Sequence, residues 1–153
     1  MWRQPGPIEI VARGEVRAPP ADVWRVLGDF GTEHRWASQL RLCRRSTAHV
    51  AVGTVRSCIL ARPLMGRSEV EEELVEYEPG RMLAYRLRGT AGPFRTAEGR
   101  WTIRPGGAGT LVEVGGRFQP RNIFVGALFG RLARRTAERA AARALRDLAA
   151  YLQ

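Results

Sequence analysis

Four polar side chains of this 153-residue chain could do chemistry: Arg56, Glu72, Tyr85 and His34. Over 54–61, Cys58 and Leu60 share strand parity with Arg56; over 68–77, Val70 and Leu74 share it with Glu72. Successive strand side chains point to opposite faces, so if the apolar members face inward the charged ones follow. The two segments are neighbours in sequence order, which lets Arg56 and Glu72 pair at the mouth of a pocket. A buried arginine needs such a partner, and its planar guanidinium also suits a carboxylate or a polarised carbonyl on a ligand. The alternative is a slip of parity at a bulge that leaves both on the surface. Tyr85 could donate its phenol to a ligand oxygen or satisfy a core hydrogen bond. His34 could be a general acid or base near neutral pH or a capping residue. Cys43 and Cys58 show no CxxC spacing, which points away from a metal site, and two cysteines do not make a disulfide framework. With no histidine clearly poised beside it, Cys58 reads as a small core residue, not a nucleophile.

The elements that must position these groups follow from periodicity. Residues 8–17 alternate apolar Ile8, Ile10, Ala12 and Val16 with charged neighbours, a strand with one buried face. Pro19 and Pro20 end it, and 21–30 carries Val23, Trp24, Val26, Leu27 and Phe30 at helical spacing. Gly28 and Gly31 break that helix, and a second short one begins at 33–36. Strands are predicted over 40–50, 54–61, 68–77, 81–88, 96–104 and 110–119, joined by turns at Gly53, at 63–66, at Glu78-Pro79-Gly80, at 89–93 and at 105–109. Turns this short argue for an antiparallel meander. Asn122 is an N-cap for a long amphipathic helix over 124–152, with Leu128, Leu132, Ala141, Leu145, Leu148 and Leu152 on the packing face and Arg131, Arg134, Arg135, Arg139, Arg143 and Arg146 opposite.

Composition sets the bounds. The formal charge is +10, and all 25 basic residues are arginine. Such a balance favours acidic partners, either nucleic acid, an anionic membrane or an acidic protein. Nucleic acid is disfavoured, because the aromatics occupy core positions and do not interleave with arginines as a stacking platform. Residues 1–7 lack an apolar core and read as a flexible start, not a signal peptide. No apolar run approaches the ~20 residues of a membrane span. The expectation is one cytoplasmic domain over 1–153, monomer or homodimer, with no cofactor.

The order of these pieces resembles the START-like, helix-grip superfamily, in the flavour of its bacterial polyketide cyclase/dehydrase branch. The likeness runs from Ile8 to Leu152 and is carried by Ala18-Pro19 with Val23-Trp24 and Asp29-Phe30, by Trp36, and by Gly53-Thr54-Val55-Arg56. It continues through Glu73-Leu74, Leu83-Ala84-Tyr85, Trp101-Thr102-Ile103 and 109–112 to Phe118-Gln119-Pro120. The resemblance implies an α+β fold: a curved seven-stranded antiparallel sheet gripping the C-terminal helix, two short helices after the first strand, and an internal apolar cavity.

Strand parity then sorts the lining. Ala97, Gly99 and Trp101 share the inward face of one strand, Val112, Val114 and Gly116 that of the next, and Leu83 and Tyr85 that of a third. Gly99 and Gly116 would leave volume for a ligand or would serve bends in a filled core. Trp36, near the capping helices, Cys58, Leu60, Val70 and Leu74 complete the wall, with Asn122 and Phe129 as gate residues. Two functions suit this container. In the first, a cyclase, aromatase or dehydratase folds a polyketide-like chain that can arrive on an acidic acyl carrier protein, while Arg56, Tyr85, His34 and Glu72 polarise carbonyls and move protons. In the second, a carrier or sensor holds a lipid, quinone or other apolar metabolite without turnover.

Overall fold

The computed structural model describes residues 5–64, 66–89 and 92–153. The chain folds into β1 (Ile8–Val16), α1 (Pro20–Leu27), a 3-10 turn (Glu33–Arg35), β2 (Leu40–Arg45), β3 (Val55–Leu64), β4 (Arg67–Glu78), β5 (Met82–Leu87), β6 (Phe94–Gly106), β7 (Gly109–Pro120) and α2 (Ile123–Tyr151). The seven strands form one sheet in the order β1-β7-β6-β5-β4-β3-β2, with antiparallel neighbours throughout. β2 to β7 are a meander and β1 lies beside β7, which is the expected helix-grip arrangement. The flexible start expected over 1–7 falls partly on residues 1–4, outside the described residues; 65, 90 and 91 in the expected turns also lie outside.

Local chemistry accounts for the boundaries. Pro20 occupies the first turn of α1, where a missing N–H loses nothing. That helix stops at Leu27, before the predicted Phe30, because Gly28 closes it and Gly31 adopts a φ of +102° that only glycine accepts easily. β2 is shorter than the predicted 40–50. Beyond Arg45, Ser46 pairs with Val55 and the chain turns, tied by Thr47 and Thr54 hydroxyls 2.8 Å apart. Asn122 caps α2 as predicted, its side-chain oxygen accepting from the Val125 N–H at 2.9 Å.

The core lies between the concave face of the sheet and the C-terminal half of α2. Ala141, Leu145 and Leu148 fall one helical turn apart and pack with Ile10, Trp101, Val112 and Val114, while Val23, Leu27 and Phe30 close the side. α2 seats chiefly on β1 and β7. Its first half does not behave as predicted: Leu128 and Leu132 are 75% and 65% exposed. The reason is angular. At 3.6 residues per turn these leucines share a side with Arg131 and Arg135, whereas the face in line with Ala141 carries Gly126, Gly130, Ala133 and Ala137. A Cβ built on Gly130 would lie 3.7 Å from the Ile8 side chain, so this small-residue face meets the sheet.

Candidate functional site

The register settles the parity of the charged pair. Arg56 lies opposite Glu72, Glu72 opposite Leu87, and Tyr85 opposite Gly99, and antiparallel partners share a face. The irregularities on β3 and β4 come after Ile59 and after Leu74, outside this stretch, so Arg56 turns inward with Cys58 and is only 6% exposed. Its Nε and Nη2 donate to Glu72 Oε1 at 3.1 and 3.0 Å, and its Nη1 meets Glu33 Oε2 at 3.0 Å. Two aromatic rings also pack against the guanidinium. The carbon at its centre lies 4.4 Å from the centroid of the Phe30 ring and 4.2 Å from that of Tyr85. The result is a cation held by two carboxylates and flanked by two aromatic rings that also touch each other, with centroids 6.1 Å apart, each a favourable contact in a desolvated place.

Glu33 was not singled out in the sequence. Both its oxygens accept from the Gly31 N–H, at 2.8 and 3.0 Å, so a two-residue backbone loop aims the carboxylate at Arg56. Burial by itself would lower the Arg56 pKa, but Glu72 and Glu33 more than offset it, and the guanidinium is held firmly charged. The Tyr85 pKa is raised, first by burial and then by the Glu72 carboxylate, which keeps the phenol protonated and a donor. Two carboxylates surround one cation, so a ligand carboxylate would have to displace Glu72 to reach it. Glu72 is the member that looks outward: its side chain is 18% exposed, against 8% for Arg56 and 7% for Glu33. What the cluster offers an incoming molecule is therefore a carboxylate acceptor and a phenol donor beside it, with the arginine positioning both.

The family description "Polyketide cyclase / dehydrase and lipid transport" matches residues 7–153. The chain belongs to this family. No curated protein matches the chain, whereas solved structures align along nearly all of it. A protein of Thermus thermophilus is 21% identical over 94% of this chain and 96% of its own, with a TM-score of 0.73. The di-domain ARO/CYC StfQ from the steffimycin biosynthetic pathway is 13% identical with a TM-score of 0.79, covering 95% of this chain and 50% of StfQ. Ara h 8.0201 is 12% identical with a TM-score of 0.73, covering 96% of this chain and 98% of its own. At these identities the likeness is one of fold.

Around the caged arginine, the other predicted residues of this cyclase/dehydrase-family chain fall into three groups. Leu60, Val70, Ala97 and Phe129 are incompletely buried and give the concave side an apolar surface that solvent can reach. Leu74, Leu83, Trp101, Val112 and Val114 are almost fully buried and belong to the packed core. Asn122 spends its side-chain oxygen on the α2 cap. Trp36 stacks edge-on against Trp101 with centroids 5.9 Å apart, and its buried Nε1 has no hydrogen-bond partner among the described residues.

Three expectations need correction. The space expected over Gly99 is filled, because a Cβ there would lie 2.3 Å from Cζ of the Tyr85 ring; over Gly116 it would lie 3.3 Å from the Phe118 ring. These glycines seat aromatic rings and do not leave a void. Gly99→Ala is accordingly expected to push Tyr85 off the guanidinium and destabilise by about 1–3 kcal/mol, read from urea unfolding. The same change with no effect on stability would show that Tyr85 can move freely. Second, Cys43 lies opposite Cys58 in the β2–β3 register and the two sulfurs are joined, so Cys58 is neither a free core thiol nor a wall for ligand. Glu33 lies near both sulfurs, but with the sulfurs joined and Glu33 engaged by Arg56 and Gly31 the trio is committed. Third, His34 Nδ1 accepts from the Cys43 N–H at 3.1 Å, which pins the 3-10 turn to β2 and occupies that nitrogen structurally.

Two clefts open elsewhere. One of 410 Å³ lies between α1 and the β2–β3 connection, bordered by Trp24, Asp29, Arg45, His49 and Tyr77. Another of 530 Å³ crosses the outer side of the sheet near Arg13, Glu76, Arg100 and Glu113, with Val112 at its border. Ion pairs occupy part of each: Arg45 with Asp29 in the first, and Arg13 with Glu113 and Arg100 with Glu76 in the second.

Proposed function

We propose that this chain binds a small, uncharged hydrophobic molecule on the concave face beside the Arg56 cluster, and uses it as a cyclase-, aromatase- or dehydratase-type enzyme. The observation that carries the reading is the contrast around Glu72 and Tyr85. Incompletely buried Val70 lies two residues from the outward-looking Glu72 carboxylate on the same strand, and burial keeps the Tyr85 phenol protonated. The family description and the StfQ fold support it. In this reading Tyr85 donates a hydrogen bond to a substrate carbonyl, which acidifies the adjacent carbon. Glu72 accepts the proton released there, and the apolar wall folds the chain and excludes water. Arg56 touches neither reacting atom; it positions Glu72 and Tyr85. An acidic acyl carrier protein is the delivery partner this reading favours.

A second reading, a non-catalytic carrier of a lipid, quinone or similar metabolite, draws on the closure of the arginine cage, since no cation is left open for chemistry. Native mass spectrometry of protein purified from its own host separates the two. A polyketide or aromatic species near one equivalent supports the enzyme, and a fatty acid or quinone supports the carrier. Binding itself is tested with the neutral fluorophore N-phenyl-1-naphthylamine. Val70→Asp should lower its affinity at least about tenfold, since a carboxylate would enter an apolar wall. Equal binding by Val70→Asp and Arg131→Ala would remove the concave face as the site.

A further inference from the structure

We propose that the first half of α2 is a docking surface for an anionic lipid bilayer. Phe124, Leu128 and Leu132 follow one another at intervals of four, which sets them on one side of the helix, 78%, 75% and 65% exposed. They form a convex ridge on the side away from Ala141, Leu145 and Leu148. The charge beside the ridge has one sign. Residues 114–137 contain Arg117, Arg121, Arg131, Arg134 and Arg135 and no acidic residue.

What these arginines do with their charge decides the partner. On and beside the sheet, Arg13, Arg81, Arg86, Arg88, Arg100 and also Arg117 each meet a carboxylate. Among the described residues, Arg121, Arg131, Arg134 and Arg135 make no ion pair. Arg121 donates to the Gly92 carbonyl and Arg134 to the Glu9 carbonyl, contacts that leave the positive charge uncompensated. A ridge of large apolar side chains between uncompensated arginines is the pattern of a helix lying in a membrane interface. The apolar groups enter the acyl boundary and the guanidinium groups meet lipid phosphates. A protein partner would need a groove shaped to the ridge, whereas a fluid bilayer needs none. The inference stands apart from the ligand reading, which concerns the concave face of the sheet beside the Arg56 cluster, whereas the ridge is the face of α2 turned away from the core.

Co-sedimentation with vesicles tests it, comparing phosphatidylcholine alone with equal parts of phosphatidylcholine and phosphatidylglycerol. The intact chain should bind the mixed vesicles, bind neutral ones poorly, and dissociate as salt rises. Arg131→Glu with Arg135→Glu should weaken binding by more than about tenfold, and Phe124→Ser with Leu128→Ser should abolish it. All four side chains are exposed, so thermal unfolding should be little changed. Arg44→Glu with Arg104→Glu removes the same charge elsewhere and should leave binding near that of the parent. An equal loss in that control would reduce the effect to net charge and overturn the proposal. So would failure to bind mixed vesicles, or equal binding to neutral ones. Capture of a purified acidic acyl carrier protein through the same side chains, without vesicle binding, would assign the ridge to a protein and overturn it too.

Discussion

Arg56→Ala should destabilise the fold by about 3–5 kcal/mol, the range for removing one partner from a buried ion pair. The magnitude follows from what remains. Glu33 and Glu72 would face each other with no cation between them, and the Phe30 and Tyr85 rings would lose the cation packed against both. Urea unfolding of the variant beside Arg131→Ala provides the measurement, since Arg131 is exposed and its loss should stay within about 0.5 kcal/mol. Arg56→Lys should recover little, because an ammonium lacks the planar fork that reaches two carboxylates while packing against two rings. Replacing the whole cluster, with Arg56→Met, Glu33→Gln and Glu72→Gln together, should recover much of the loss. Equal stability of Arg56→Ala and Arg131→Ala would refute the caged arginine. Ligand affinity should move in the same order, because Arg56 positions Glu72 and Tyr85.

Phe30→Ala should be comparably severe, about 3–5 kcal/mol, as expected for deleting a fully buried aromatic ring. Part of that is the cavity and part is the lost contact between the ring and the guanidinium. Phe30→Leu separates them: it keeps most of the apolar volume and removes the π face. A loss of about 1–2 kcal/mol in Phe30→Leu would measure the cation–π share at a desolvated site. Unfolding at the parental urea midpoint would show that the ring acts only by filling space.

The inward turn of Arg56 and its pairing with Glu72 were partly legible in the sequence. Cys58 and Leu60 on one strand, and Val70 and Leu74 on the next, made it one of two alternatives, and the unbroken register from Val55 to Ile59 decided between them. The sheet was legible, with prolines and glycines marking its turns. Glu33 was not, because nothing local distinguishes its carboxylate from a solvated one; the Gly31 N–H that aims it and the arginine it meets come from the fold. Nor was the filling of Gly99. A missing side chain reads equally as space or as a seat, and the answer depends on the rotamer of Tyr85 on the neighbouring strand.

α2 shows the division most plainly. Its existence, its cap at Asn122 and the burial of Ala141, Leu145 and Leu148 follow from the sequence alone, because capping and helical period are local properties. Which side its first half presents does not follow, and Leu128 and Leu132 were placed on the wrong one. The sequence by itself determined the elements, their order and the faces of the strands. The tertiary structure alone decided which groups meet across them: the four partners of Arg56, the joining of Cys43 to Cys58, and the exposure of the α2 ridge. Periodicity encodes directions along one element, whereas contacts depend on register and on where a rigid helix comes to rest against the sheet.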